Sequence, residues 1–191
     1  MKLILGSSSP YRLELLKRLG VSFTTESPNI NEDDWKDLGP SPDHLVSFLA
    51  VAKARDIYLK TDRENVVIGS DQVAVFESRV LGKPGNRENA IEQLELLSNG
   101  EHALMTGVCV MTDNVTLLHT DVTKLRMRNL SKKQIERYLD RDEPYDCAGS
   151  YKLEEGGISL FEKIETEDYT AICGLPLMAV TKMLHQCGLE V

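Results

Sequence analysis

Asp71 stands in the run Gly69-Ser70-Asp71-Gln72, directly after the short apolar stretch Val66-Val67-Ile68. A carboxylate at the carboxyl end of a buried strand lies where α/β folds collect their ligands. Asp in a Gly-Ser turn is also an ordinary turn former, and the run by itself allows both readings. Lys83 lies between Gly82 and Pro84, which shape the backbone on either side. A lysine held in this way suits a phosphate as a point charge, although most surface lysines are only solvated. Glu32-Asp33-Asp34 is an acidic cluster that offers oxygen ligands to Mg²⁺ or simply forms a solvated loop. Gly6-Ser7-Ser8-Ser9 leads into Pro10-Tyr11-Arg12. A small-residue loop feeding a helix presents free N–H groups and a positive dipole end, which suits phosphate. Arg12 in the first turn adds a guanidinium able to bind bidentately. An ordinary βα turn has the same composition. No Ser–His–Asp or Cys–His arrangement suggests a covalent nucleophile. Carboxylates, lysines, an arginine and a small-residue loop fit metal-assisted attack of water on a phosphate better than acyl transfer.

The elements that must position these groups are legible from caps and periodicity. Leu3 to Leu5 reads as a buried strand, followed by a helix with Ser9 as N-cap and Pro10 at its first position. Ser41-Pro42-Asp43 opens a second helix, with Leu45, Phe48, Leu49 and Ala52 as its apolar face and Lys53 beside that face. Val66 to Ile68 is a short strand. Val73 to Phe76 and Val80-Leu81 form a hairpin around Glu77-Ser78-Arg79. Asn86 caps a helix to about Ser98. Ala103 to Met111 and Val115 to Val122 pair around Thr112-Asp113-Asn114, with Gly107 marking a bulge or a close backbone approach. Ser131 and Gln134 form a capping box for a helix to about Leu139. Ile158 to Phe161 reads as a strand, and Pro176 to Cys187 as a closing helix stopped by Gly188. Alternating strands and helices, with hairpins in the middle, predict an α/β fold: a single domain over residues 1–191 with a mixed, twisted sheet flanked by helices.

The acidic excess, 30 carboxylates against 22 lysines and arginines, argues against binding nucleic acid or an anionic membrane non-specifically. A few focused cations and a metal still admit an anionic small molecule. Cys109, Cys147, Cys173 and Cys187 show no C-x-x-C pair, and the histidines show no metal-ligand spacing, so zinc chemistry is not expected. The apolar run after Met1-Lys2 is too short for a signal peptide, and the expected location is the cytoplasm.

Taken in order, these segments resemble the Maf family of nucleoside triphosphate pyrophosphatases. The matching pieces are Leu5-Gly6-Ser7-Ser8-Ser9-Pro10-Tyr11-Arg12, Pro28-Asn29-Ile30-Asn31-Glu32, Lys53-Ala54 and Gly69-Ser70-Asp71-Gln72-Val73. They continue with Leu81-Gly82-Lys83-Pro84, Thr106-Gly107-Val108, Cys147-Ala148-Gly149-Ser150-Tyr151 and Gly174-Leu175-Pro176-Leu177. The resemblance implies an inosine triphosphate pyrophosphatase-like fold, a homodimer, and hydrolysis between the α and β phosphates with a divalent cation, Mg²⁺ or Mn²⁺. It implies Asp71 as general base, Glu32 and Asp71 as metal ligands, and Lys53, Lys83 and Arg12 on the triphosphate. Ser7 and Ser8 would hold phosphate oxygens. The family usually carries Asp-Glu where this chain has Asn31-Glu32, so the site keeps one of two charges.

Base choice also follows from the resemblance. Tyr11, Gln72 and Glu154 match the aromatic, Gln and Glu of the 7-methyl-GTP subgroup. Cys147 stands where the dTTP type usually has Lys. N7-methylguanine carries a positive charge, which an aromatic face attracts and a carboxylate complements. Glu154 beside Glu155 also reads as a plain solvated charge. The expected reaction is 7-methyl-GTP to 7-methyl-GMP and pyrophosphate, clearing modified nucleotides. The alternatives are a dTTP or UTP pyrophosphatase of the same family and a nucleotide-binding regulator of septum formation.

Overall fold

The structure, a computed structural model, describes residues 1–32, 39–62 and 64–191. Glu32 lies within them; Asp33 and Asp34 lie outside the described residues. The elements run β1 (Leu3–Gly6), α1 (Pro10–Lys17), β2 (Phe23–Glu26), α2 (Pro42–Tyr58), β3 (Val66–Phe76) and β4 (Arg79–Leu81). They continue with α3 (Arg87–Leu97), β5 (Glu101–Met111), β6 (Thr116–Met127), α4 (Lys132–Asp142), β7 (Phe161–Glu165) and α5 (Leu177–Gln186). The seven strands form a sheet in the order β2-β1-β3-β5-β6-β7, with β4 on β3. β1 is parallel to β2 and β3, whereas β4 and β7 run antiparallel to β3 and β6. The mixed α/β sheet expected from the pattern is present.

The chain groups into two compact units, Met1–Gln72 with Thr106–Asp121 and Asp168–Val191, and Val73–Met105 with Val122–Glu167. β3, β5 and β6 each continue from one unit into the other.

In the first unit the strand period of two sorts side chains between two layers. Leu3, Leu5, Val66, Ile68, Val108 and Val110 pack with Leu15 and Leu16 of α1 and with Val180 and Leu184 of α5. Ile4, Val67 and Cys109 point the other way, onto Ala50, Ala54 and Ile57 of α2. The Ser9 hydroxyl of the expected N-cap accepts from the Arg12 N–H at 3.5 Å. The second unit holds an aromatic group in which buried His102 and Tyr151 pack with partly buried Phe161. Asn86 caps α3 by accepting from the Asn89 N–H at 2.9 Å.

Several expectations are corrected. Asp71 is not in a turn; β3 runs unbroken from Val66 to Phe76, with Asp71 in mid-strand. Gly69 and Ser70 look like turn residues but serve packing, as described below. The hairpin turn is Glu77-Ser78 alone, both at positive φ (46° and 70°), and Arg79 already pairs with Phe76. The apolar face of α2 is Leu45, Val46, Leu49, Ala50, Lys53, Ala54 and Ile57, with Phe48 45% exposed. Lys53 therefore lies within the buried stripe, four residues after Leu49, instead of beside it. Gly156–Leu160 is a 3-10 segment, not a strand, because Gly157 N–H turns back onto the Lys152 carbonyl at 2.9 Å. The strand starts at Phe161, where pairing with β6 begins.

Candidate active site

The site begins with a close approach of backbones. A Cβ added at Gly69 would lie 2.3 Å from the Ala50 carbonyl oxygen, and one at Gly107 2.5 Å from that of Val46. Only glycine lets α2 lie this close to the sheet. Gly6, opposite Gly69 in the β1–β3 ladder, sits under the same helix, 3.2 Å from Ile57 by the same construction. The approach carries Lys53 down to β3. Its ammonium donates to Asp71 Oδ1 at 2.6 Å and pairs with Glu32 Oε1 at 2.8 Å. Asn29 N–H donates to Asp56 on α2 at 2.8 Å, which ties the segment leading to Glu32 to the same helix.

Burial pushes the Asp71 carboxyl above the usual Asp range, although Lys53 and Arg12 pull it down. Asp71 is only 6% exposed, and its Oδ2 makes no hydrogen bond to the described residues. A carboxylate with one oxygen pinned by an ammonium and the other bare is arranged to take a proton from water or to hold a cation.

Arg12 is more committed than its sequence position suggests. Nε donates to the Gly174 carbonyl and Nη1 to the Ser70 carbonyl, both at 2.8 Å. β1 ends at Gly6 opposite Gly69, so Ser70 lies past the end of that neighbour, and Arg12 takes up its carbonyl. Nη2 makes no hydrogen bond to the described residues and is solvent-accessible, so it keeps its donors for an anion. Burial lowers the Arg12 pKa, and the charges of Asp71 and Glu32 oppose that shift. In the preceding loop, buried Ser7 accepts from the Ser9 N–H at 3.1 Å, while Ser8 is exposed. The loop is thus partly bonded to itself, and Ser8 is its outward residue.

Gln72 follows Asp71 and points to the opposite face of the strand. Its Nε2 donates to Thr106 Oγ1 at 2.8 Å and to the Ala171 and Ile172 carbonyls at 2.9 and 3.1 Å. Ser70, two residues earlier on that face, donates toward the Gly107 and Gly174 carbonyls, both at 2.8 Å. Asp71 and Gln72 thus face opposite sides of β3 just past Gly69, where its pairing with β1 ends. Tyr11 lies half-buried in the first turn of α1.

Lys83 and Glu154 belong to the second unit. Lys83 is exposed and makes no hydrogen bond or ion pair with a described residue. Glu154 is exposed in the turn that Asp142 anchors by accepting from the Gly156 N–H at 2.9 Å. The structure thus joins Asp71, Lys53 and Glu32 by direct contacts and sets Arg12 and Gln72 on the same stretch of β3. Ser70 and Thr106 were missed as supporting residues. Their signal was a buried polar residue two places from Gln72 in one strand and a threonine beside Gly107 in the next.

Asp71 and Glu32 are hard oxygen donors side by side on one ammonium. Mg²⁺ is commonly held by one or two carboxylates plus substrate phosphates, so this donor set fits such a cation. Among the described residues no group of three or more His, Cys, Asp or Glu is arranged to hold a metal ion.

A family model described as Maf-like protein matches residues 2–187. The chain belongs to this family. It is 44% identical over 188 residues to a 7-methyl-GTP pyrophosphatase of Bdellovibrio bacteriovorus, covering 98% of each chain. It is 43% identical over 192 residues to a 7-methyl-GTP pyrophosphatase of Vibrio parahaemolyticus, covering 100% of this chain and 97% of that one. Among solved structures, a nucleoside-triphosphatase (dITP/XTP pyrophosphatase) of Mycobacterium abscessus aligns with a TM-score of 0.48 and 16% identity, over 97% of this chain and 94% of that one.

Proposed function

We propose that this Maf-family chain hydrolyses 7-methyl-GTP to 7-methyl-GMP and pyrophosphate. The observation that carries the catalytic reading is the Asp71–Lys53–Glu32 group, with Asp71 Oδ2 left without a hydrogen bond by the described residues. Full-length relatives bearing the 7-methyl-GTP name, together with Tyr11, Gln72 and Glu154, support the choice of base.

In this mechanism Asp71 Oδ2 accepts a proton from water as the water oxygen bonds to the α-phosphorus. The bond from that phosphorus to the bridging oxygen breaks, and pyrophosphate leaves with the electron pair. Asp71 is suited to the task because its raised pKa makes it a better base than an exposed Asp. Lys53 fixes the carboxylate and balances its charge. Arg12 Nη2, Lys83 and the Ser7–Ser8 loop neutralise and orient the triphosphate. A divalent cation, Mg²⁺ or Mn²⁺, held by Glu32 and Asp71 would supply Lewis-acid polarisation of the phosphate oxygens. With this reading go a homodimer and a cytoplasmic location; no helix among the described residues is long and apolar enough to cross a membrane.

The test is a nucleotide panel with pyrophosphate detection in Mg²⁺ and Mn²⁺. 7-Methyl-GTP is expected to give the highest kcat/KM, and Asp71→Asn to lower kcat by at least about 10³-fold, at the scale of losing a general base. Preference for dTTP or UTP would overturn the substrate. Near-wild-type turnover by Asp71→Asn would overturn the base.

A further inference from the structure

Gln72 has two amide hydrogens and three oxygen atoms around its nitrogen. Two of those oxygens are the backbone carbonyls of Ala171 and Ile172, which only accept. The third, Thr106 Oγ1, carries a single proton, and that proton is donated to the Ala171 carbonyl at 3.0 Å. Toward Gln72, therefore, Thr106 also acts as an acceptor. A flipped amide would set its oxygen against three acceptors at about hydrogen-bond distance, so the flip is excluded by chemistry. Both N–H groups of Gln72 are spent inside the protein. Its Oε1 accepts nothing from the described residues, and the residue is partly exposed.

The carbonyls in this arrangement are themselves fixed. They sit on the 3-10 turn Tyr169–Cys173, whose start Asp168 caps by accepting from Thr170 N–H at 2.9 Å and from its hydroxyl at 2.6 Å. Thr106 is 1% exposed and stands on β5 next to Gly107, the residue that lies under α2. The partners of the Gln72 amide are thus a strand residue and a capped turn, neither free to re-orient.

We infer that Thr106, with the Ala171 and Ile172 carbonyls, is a positioning device that holds Gln72 with its carbonyl oxygen outward, so that Gln72 meets the nucleobase only as a hydrogen-bond acceptor. The base edge it recognises must then present a donor, such as the N1–H or exocyclic N–H of a guanine, and an edge presenting an acceptor there is refused. The inference rests on the reading that Gln72 contacts the base. Thr106 acts through Gln72 and touches no reacting atom.

The experiment compares Thr106→Val, Thr106→Ser, Gln72→Ala and Gln72→Glu by kcat and KM for 7-methyl-GTP and dTTP. Thr106→Val keeps the shape and removes the hydroxyl. It is expected to raise KM for 7-methyl-GTP about 10-fold, the effect of one misplaced hydrogen bond, with kcat within about twofold and little change on dTTP. Thr106→Ser restores the wild-type ratio. Gln72→Glu separates the clamp from a free side chain even where Thr106→Val folds poorly. A carboxylate at 72 faces the two carbonyls and raises KM for the cationic base; an unclamped one would attract that base and lower it. Equal losses on both nucleotides in Thr106→Val, or a lowered KM in Gln72→Glu, overturn the clamp. If Gln72→Ala leaves selectivity unchanged, the base-contact reading itself fails and the clamp with it.

Discussion

Asp71 is asked to be charged where charge is disfavoured. Its pKa is raised by burial, so the ionised carboxyl is less favoured in the folded state than in the unfolded chain, and keeping it ionised at neutral pH costs stability. The sign follows from linkage. For a carboxyl whose folded pKa exceeds its unfolded value, the stabilising contribution is fully present below the unfolded value, about 3.9, and is lost as pH rises through the folded one. Asp71→Asn removes that loss while keeping the shape, and Lys53 retains Glu32 as a partner. The variant is expected to melt at a higher temperature than the wild type at pH 7, with the gap closing below about pH 4, near the unfolded Asp value. Paired thermal scans over that range check it, and a variant less stable than wild type at pH 7 would show that the Lys53 contact outweighs burial. The same shift sets the acid limb of turnover above the ordinary Asp range, because the base must be ionised to act.

At the scale of elements, α2 decides the site. It lies against Gly6, Gly69 and Gly107, which come from three separate sequence motifs and share one job. Gly69 and Gly107 admit the helix backbone and Gly6 admits the Ile57 side chain, and the approach is what puts the Lys53 ammonium on Asp71. Gly69→Ala sets a methyl group 2.3 Å from the Ala50 carbonyl, a contact that only backbone movement relieves. Overpacking of this kind costs about 1–3 kcal/mol, a fall in melting temperature on the order of 3–10 °C for a chain of this size. Activity is expected to fall further than stability, since α2 carries Lys53 away from Asp71. A circular-dichroism melt with a kcat measurement checks both, and full activity in a destabilised Gly69→Ala would show that the helix position is not what sets the site.

Much of this element was readable beforehand. Ser41-Pro42 marked its start, and Gly107 was already a place for a bulge or close approach. The series Leu45, Leu49, Lys53, Ile57 also held the clue to a buried cation, a charged residue in an apolar i, i+4 stripe. What was hidden was tertiary. A Gly-Ser-Asp run looks the same whether the chain turns there or a helix presses on a straight strand, because local composition does not record what packs above it. The commitment of Arg12 to two backbone carbonyls was hidden for the same reason: both acceptors come from distant parts of the chain.

At the scale of the whole molecule, the two compact units share three strands, so neither holds a complete sheet of its own. A chain joined in this way is expected to unfold in one cooperative transition. His102 offers a handle in the unit that lacks Asp71 and Lys53. Its Nε2 lies 2.8 Å from the Tyr151 hydroxyl, its Nδ1 is buried without a partner among the described residues, and burial lowers its pKa from 6.5 to about 4. Because the folded value is depressed, stability is intact above about pH 6.5 and is lost as pH falls toward 4, by an amount on the order of 3 kcal/mol from that shift. His102→Gln keeps an amide for Tyr151 and does not titrate, so it is expected to lose much less stability than the wild type between pH 7 and pH 5. If the sheet makes the chain one folding domain, calorimetry shows a single transition whose whole midpoint follows His102. Two transitions, with only one sensitive to pH and to the substitution, would mean that the units melt apart and that the shared strands do not couple them.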